Sequence, residues 1–170
     1  GIGSFDSDGF TIAEGSINNT NMNNSGTTYV AWNWKAGTSF TNDASATSVG
    51  TIDSAGSSNS TSGFSIVTYT GTGQAGTIAH NLGSAPTTIF IKVRSHSDSW
   101  TVGHNSKGWG GFVRLDTTQA FGSNTNTWNN TAPTSTVFSL DHDDVNASSR
   151  TYVAYCFAEK QGYSKFGSYV

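Results

Sequence analysis

Bulky apolar residues alternate with small or polar ones in short stretches along most of the chain. The clearest run is Thr87–Arg94, in which Ile89, Ile91 and Val93 share one face. A period of two is typical of β-strands. The same reasoning predicts strands at Phe64–Thr70, Gly76–His80, Trp100–His104, Phe112–Leu115, Thr136–Leu140 and Thr151–Ala158. The turn signal Gly71-Thr72-Gly73 between the first two predicts that they form a hairpin. Turn signals recur roughly every 8–12 residues, which favours an all-β, antiparallel β-sandwich or jelly roll.

One strand pattern occurs twice. Thr28-Tyr29-Val30-Ala31-Trp32 returns as Thr151-Tyr152-Val153-Ala154-Tyr155, and an Asn-x-Ser triplet precedes each copy. A Phe-(Ser/Thr)-(Ile/Leu) segment lies further upstream in both. This repetition predicts related strand units. In the first copy it predicts strands at Phe10–Ala13 and Thr28–Lys35 on either side of an Asn-rich loop, with Trp32 and Trp34 in a core.

These patterns predict three regions. Residues 1–37 form a partial β unit, the C-terminal half of a repeat whose first half is missing or supplied elsewhere. Residues 38–63, rich in Ser, Thr, Ala and Gly, form a linker or a loosely paired edge segment without a helix. Residues 64–170 form a complete sandwich module. Since unpaired sheet edges recruit strands, the N-terminal unit is expected to pair with a neighbouring chain.

Composition supports a rigid β scaffold and narrows the functional classes. Aromatic residues make up 12% of the chain, while charged residues make up only 11%. The net charge is −3 with no basic cluster, so nucleic-acid binding is not expected. No apolar run is long enough to span a bilayer. The single cysteine, Cys156, lies in a predicted strand and is interpreted as a small buried hydrophobe.

Several sequence blocks resemble a module of marine, cyanophage-like phage virion proteins. They are Gly63–Gly73, His80–Pro86, Trp128–Thr134, Tyr152–Glu159 and Gly162–Tyr169, in this order. This chain has His-Asn-Leu-Gly where the family usually has His-Gly-Leu-Gly. The resemblance implies a tail-fibre or other structural role in the virion, with other virion proteins or copies of the chain as partners. It implies host-surface attachment and brings no catalytic residues.

Three tryptophans are candidates for binding carbohydrate. Trp100, Trp109 and Trp128 fall near predicted loops, and exposed aromatic rings offer apolar faces with polar edges. They are candidates for contacting bacterial surface polysaccharide. The alternative is that each ring closes one end of the sandwich, and for Trp109 and Trp128 the sequence favours neither interpretation.

Asp141, Asp143 and Asp144 form the densest acidic cluster and are the candidate ligands for calcium, a cation that binds several oxygen atoms. The alternative is an acidic turn that satisfies its own backbone. No other cofactor is indicated. The four histidines have no zinc spacing, and His80 is interpreted as a structural hydrogen-bonding residue.

No motif for an enzyme is present: the sequence has no G-x-S-x-G, Walker or HExxH pattern, so the chain is not expected to be an enzyme. The first functional hypothesis is a phage virion protein for assembly and attachment, located in the virion. The alternative is a secreted bacterial carbohydrate-binding, adhesin or filament module at the cell surface.

Overall fold

The computed structural model describes residues 2–12 and 24–168. The chain divides into two compact units, residues 1–34 and 35–170. In chain order the strands are β1 (Ile2–Phe5), β2 (Phe10–Ile12), β3 (Thr38–Asn42), β4 (Ser54–Asn59), β5 (Phe64–Thr70), β6 (Gly76–Ala79), β7 (Thr88–Val93), β8 (Thr101–His104), β9 (Gly108–Arg114), β10 (Gly122–Ser123), β11 (Val137–Leu140) and β12 (Thr151–Phe157). The helices are α1 (Ala44–Thr47), α2 (Asp143–Asn146) and a 3-10 turn at Asn105–Lys107. Among the described residues, no helix is long and apolar enough to cross a bilayer.

The second unit is built on an antiparallel sheet of eight strands in the order β10-β9-β8-β7-β12-β5-β4-β3. The last strand, β12, lies at its centre and pairs along its whole length with β5 and, over six residues, with β7. The predicted all-β, antiparallel fold class is therefore confirmed.

The core lies on one face of this sheet. β6 and β11 pair with each other as a second, small sheet, and Ile78 and Phe138 from that pair are fully buried in the same cluster as β7 and β12 residues. Ile89, Ile91 and Val93 all belong to this cluster, so the prediction that they share one face is confirmed, and that face lies against the core. The result is a sandwich with one large and one small layer.

The predicted hairpin between Phe64–Thr70 and Gly76–His80 is wrong. β5 pairs with β4 and β12, whereas β6 pairs with β11. The connecting turn is bound elsewhere: the Gly71 amide donates to the Arg150 carbonyl at 2.8 Å, and the Gly73 amide to the Asn146 carbonyl at 2.7 Å. A Cβ on Gly71 would lie 2.3 Å from the Ala147 carbonyl oxygen, so only glycine permits this approach.

Residues 38–63 form the edge of the main sheet and not a linker. They contain β3, α1 and β4, and β4 pairs with β5. Small residues allow this pairing, since a Cβ on Gly56 would lie 2.0 Å from the Ile66 carbonyl oxygen. Contrary to expectation, a helical turn forms at α1, because the Asp43 side chain accepts from the amides of the first turn.

In the first unit, β1 and β2 form an antiparallel hairpin, and the Asp6 amide donates to the Gly9 carbonyl at 2.8 Å across its turn. The predicted strand Thr28–Lys35 is wrong, because residues 27–37 have no strand structure. Trp32 and Trp34 are 70% and 47% exposed, so neither lies in a core. A strand needs a hydrogen-bonded neighbour, and the described residues place none beside this segment. The Asn-rich loop expected here lies largely outside the described residues.

Candidate functional site: the outer face of the main sheet

The register of the main sheet defines an outer face opposite the core. Tyr155 pairs with Ile66 on one side and with Phe90 on the other, and Phe90 pairs with Val102. Cross-strand partners point to the same side of a sheet. Their chain neighbours Ala154, Val67 and Ile91 are buried in the core. Tyr155, Ile66 and Phe90 are only half-buried, so this apolar row reaches the surface.

Trp100 extends the row. Its ring lies 5.9 Å from that of Tyr155, and both rings are half-buried. The backbone amide of Trp100 donates to the Asp116 carboxylate at 3.1 Å, and its carbonyl accepts from the Leu115 amide at 3.2 Å. These bonds hold the tryptophan backbone against β9. Of the three predicted carbohydrate-binding tryptophans, Trp100 therefore lies on an accessible face.

Trp109 and Trp128 are in the core, so the prediction that they contact carbohydrate is wrong. They are 6% and 0% exposed, and their rings meet edge to face with centroids 5.2 Å apart. The Trp128 indole donates to the Gly111 carbonyl at 3.0 Å. The loop that carries Trp128 folds over the end of the sandwich, and a buried indole N–H needs an acceptor there.

A groove of about 370 Å³ lies on the outer face toward the Arg94 end of β7. Threonine hydroxyls form its floor, and two carboxylates and a guanidinium form its sides. The residues that carry these groups are Thr41, Thr68, Thr70, Thr151, Asp43, Asp53 and Arg94. Asp53 precedes β4 and Arg94 follows β7, three strand spacings away, which is roughly 14 Å. The groove is therefore wide and shallow, with charged side chains on opposite sides.

The carboxylates are fixed in place by α1. One Asp43 oxygen accepts from the Ser45 hydroxyl at 2.7 Å and from the amides of Ser45 and Ala46. The Ser45 hydroxyl and the backbone amide of Ala46 lower the pKa of Asp43. One Asp53 oxygen accepts from the Ala44 amide at 2.9 Å. Both carboxylates are exposed and each keeps its second oxygen for a ligand.

Two cationic side chains, Lys92 in β7 and Arg94 directly after it, differ in their surroundings. Lys92 donates to the backbone carbonyl of Asp98. Arg94 is exposed, and no ion pair joins it to another described residue. A guanidinium offers five N–H donors in a planar fork. The groove thus presents donors at one side, acceptors at the other and hydroxyls between them.

The structure does not assemble a calcium site from Asp141, Asp143 and Asp144. Asp144 forms an ion pair with Arg114, which is itself largely buried. Asp143 begins α2, and the backbone amide of Asp144 donates to the His142 ring, so His142 caps the helix turn in which Asp143 and Asp144 lie. Within residues 2–12 and 24–168, no group of three His, Cys, Asp or Glu side chains could hold a metal ion.

His80 is fully buried and neutral. Its Nε2 hydrogen-bonds the Thr134 carbonyl at 3.1 Å, and its Nδ1 accepts from the Leu82 amide at 3.2 Å. Burial lowers the pKa of His80 to about 4, although the bond to Thr134 opposes that shift. The structural role predicted for this residue agrees with its place between β6 and the loop before β11. Cys156 is also fully buried, and burial raises the pKa of its thiol.

Unfolding stability should depend on pH through His80. The folded protein disfavours the charged ring, so an unfolded chain takes up a proton first as the pH falls below about 6.5. The contribution of His80 to the free energy of unfolding is therefore fully present above that pH, and about 3 kcal/mol of it is lost as the pH falls to 4. Urea unfolding between pH 7.5 and 4 measures it, and His80→Gln should show a curve shallower by one proton. Identical slopes in the two proteins would refute the assignment.

Sequence reasoning missed the groove. Asp43, Asp53 and Arg94 are separated along the chain and belong to no motif. They line one groove because β4, β5, β12 and β7 are neighbours in the main sheet. Only the Asp-Ala-Ser sequence at 43–45 carried a local signal, since aspartate before small residues is a common start for a helix turn.

A family model described as a domain of unknown function, DUF7483, matches residues 1–170. The chain belongs to the DUF7483 family. No curated protein and no solved structure matches the chain.

Proposed function

We propose that this DUF7483 module is a structural and attachment protein of a phage virion, and that it binds bacterial surface polysaccharide on the outer face of its main sheet. The observation that carries the binding part is that one face of the main sheet presents both a groove and aromatic rings. Asp53, Arg94 and Thr151 line the groove, and half-exposed Tyr155, on the same side of β12 as Thr151, has its ring 5.9 Å from that of Trp100. The virion part rests on the resemblance of the sequence blocks described above.

The chemistry of the outer face suits a chain of sugar rings. A pyranose has an apolar face, which stacks on aromatic rings such as Trp100, and a rim of hydroxyls that donate and accept. The carboxylates of Asp43 and Asp53 accept hydrogen bonds from sugar hydroxyls, and the threonine hydroxyls both donate and accept hydrogen bonds. The Arg94 guanidinium donates hydrogen bonds to ring or hydroxyl oxygens. It binds the carboxylate of an acidic sugar most strongly, through two parallel N–H···O hydrogen bonds. Binding of this kind breaks no covalent bond.

Rigidity supports this role. The face is part of a sheet whose central strand is paired on both sides. The side chains that would contact the polysaccharide are therefore held in place before binding, and binding does not have to order a loop. A shallow groove gives weak affinity for each copy. Repetition of the module, in a homo-oligomer or with other virion proteins, converts weak sites into stable attachment.

Removal of Trp100 or Arg94 should weaken polysaccharide binding while the fold persists. Both side chains are at the surface, so Trp100→Ala and Arg94→Gln are each expected to raise Kd about tenfold, which is about 1.4 kcal/mol. The measurement is binding to a panel of purified surface polysaccharides from marine bacteria by biolayer interferometry. The protein is immobilised at high density so that weak contacts add.

Two variants serve as matched controls. Lys107→Gln removes the same charge as Arg94→Gln but lies in the β8–β9 turn, at the other end of the sheet. Trp32→Ala removes an exposed tryptophan of the other unit. Both should bind as the parent protein does. Equal loss in the controls and the test variants, or no binding to any polysaccharide in the panel, would reject the proposed attachment role.

A further inference from the structure

The repeated sequence pattern also repeats a hydrogen bond. In the second copy the Tyr152 hydroxyl accepts from the Ala147 amide at 2.9 Å, five residues upstream, and donates to the Asp143 carbonyl at 3.0 Å. The bond to Ala147 connects the loop that follows α2 to the beginning of β12. In the first copy the Tyr29 hydroxyl accepts from the Asn24 amide at 3.0 Å, again five residues upstream. The two segments therefore share this hydrogen bond as well as sequence.

The two copies differ in what surrounds them. Tyr152 and Val153 are 0% and 8% exposed within β12, whereas their counterparts Tyr29 and Val30 are 50% and 76% exposed. Residues 27–37 have no strand structure. A sequence suited to the interior of a sheet thus exposes the side chains of Tyr29, Val30 and Trp32 at the surface. Such segments commonly mark interaction sites.

We propose that residues 24–34 are a strand donor: Thr28–Trp34 enters the sheet of a second module of this fold, between strands that correspond to β5 and β7. The partner is a module of the same kind whose position for the closing strand is open. In this chain β12 already fills that position. The pairing supplies backbone hydrogen bonds on both sides of the donor strand, the mode known as strand addition.

The alternation of side chains fits this position. Ala154 is fully buried against the core, and its counterpart Ala31 is the same small residue. Tyr29 would take the place of Tyr152, which stacks on Tyr69 at 5.1 Å with its hydroxyl on α2. Val30 and Trp32 would join the outer face, as Val153 and Tyr155 do here. A charge in the place of Ala31 would be buried without a partner, which gives a sharp negative control.

One position departs from β12. Asn33 corresponds to Cys156, which faces the core and pairs across the ladder with Ser65. A serine hydroxyl in that place both donates to and accepts from a side-chain amide. The donor strand therefore fits best where the facing residue of the partner strand is polar, as Ser65 is in this module.

The test uses a full-length acceptor whose own β12 is disabled. Ala154→Pro/Cys156→Pro removes two ladder donors from the central strand, and Ala31→Asp in the same chain silences its own donor segment. A synthetic peptide of residues 24–37 is added, and hydrogen exchange is followed in β5 and β7. The matched controls are the same peptide with Ala31→Asp and a peptide of residues 147–160.

We expect the 24–37 peptide to slow exchange in β5 and β7 at least tenfold and the Ala31→Asp peptide to leave it unchanged. Protection by the 147–160 peptide without protection by the 24–37 peptide would overturn the proposal, as would equal protection by the 24–37 peptide and its Ala31→Asp version.

If neither the 24–37 nor the 147–160 peptide protects the acceptor, a graft decides. Tyr155→Trp/Phe157→Trp, placed in the otherwise unaltered chain, gives β12 the outward residues of the first copy. Retained protection of β12 supports the proposal and its loss overturns it.

Discussion

Trp128→Ala is expected to lower the free energy of unfolding by about 3–5 kcal/mol, the range for removing a large aromatic side chain from a core. The ring is 0% exposed and meets Trp109 edge to face at 5.2 Å. Packing around it is tight, since a Cβ on Gly103 would lie 2.6 Å from the Trp128 ring. The change also leaves the Gly111 carbonyl without its indole donor. Urea unfolding followed by far-ultraviolet circular dichroism measures the loss.

The control for this change is Trp32→Ala. Trp32 is 70% exposed, so the same substitution should cost less than about 1 kcal/mol. A loss of similar size in the two variants would show that Trp128 does not anchor the end of the sandwich. The distinction also separates a structural tryptophan from the proposed binding residue Trp100, whose removal should affect affinity more than stability.

Tyr152→Ala should cost about 3–5 kcal/mol, for two combined reasons. The ring is fully buried and stacks on Tyr69 with an interplanar angle of 10°. Its hydroxyl accepts from the Ala147 amide and donates to the Asp143 carbonyl. It therefore binds both the start of α2 and the loop that follows this helix. Tyr152→Phe keeps the ring and should cost about 0.5–1.5 kcal/mol, because the Ala147 amide and the Asp143 carbonyl each lose the hydroxyl while their bond to each other at 3.2 Å remains. Urea unfolding of the two variants separates packing from hydrogen bonding.

The matched control lies in the first copy of the repeat. Tyr29→Phe removes the corresponding hydrogen bond to the Asn24 amide, but in an exposed segment where water replaces the lost partner. Its cost should be below about 0.5 kcal/mol. If Tyr29→Phe destabilised the isolated chain as strongly as Tyr152→Phe, the first copy would already be part of a folded core, and the strand-donor proposal would lose its basis.

The sequence predicts the central strands of the fold well, for a physical reason. β5, β7 and β12 carry bulky residues on both faces, since they lie at the middle of the sheet, and their period of two is unmistakable. Phe64–Thr70 was predicted with the bounds the structure shows. Strands β3 and β4 were missed as strands because their residues are small and polar, and glycine there serves close backbone approach more than burial.

Two errors have a common origin in long-range pairing. The expected hairpin of β5 and β6 failed because the turn after β5 hydrogen-bonds the α2 region, about 75 residues further along. The expected strand at Thr28–Lys35 failed because a strand pattern reports suitability for a sheet and not the presence of a neighbour. Local sequence carries no information on either partner.

The candidate site was predictable only in part. Trp100 was named correctly as an accessible tryptophan, but Trp109 and Trp128 share its loop-like surroundings in sequence and lie in the core. Whether a loop ring folds inward depends on the space at the end of the sandwich. The groove depends on strand order, and so its residues could not be grouped from the chain alone.

The most direct test of carbohydrate binding on the outer face is a titration followed by two-dimensional ¹H–¹⁵N NMR. Oligosaccharides from the polysaccharide that binds best are added to the labelled full chain. The structure predicts that shifts concentrate at the Trp100 indole and at the backbone amides of Thr68, Arg94 and Tyr155, with the Trp128 indole unmoved. Shifts confined to loops away from this face, or equal shifts at the Trp100 and Trp128 indoles, would contradict it.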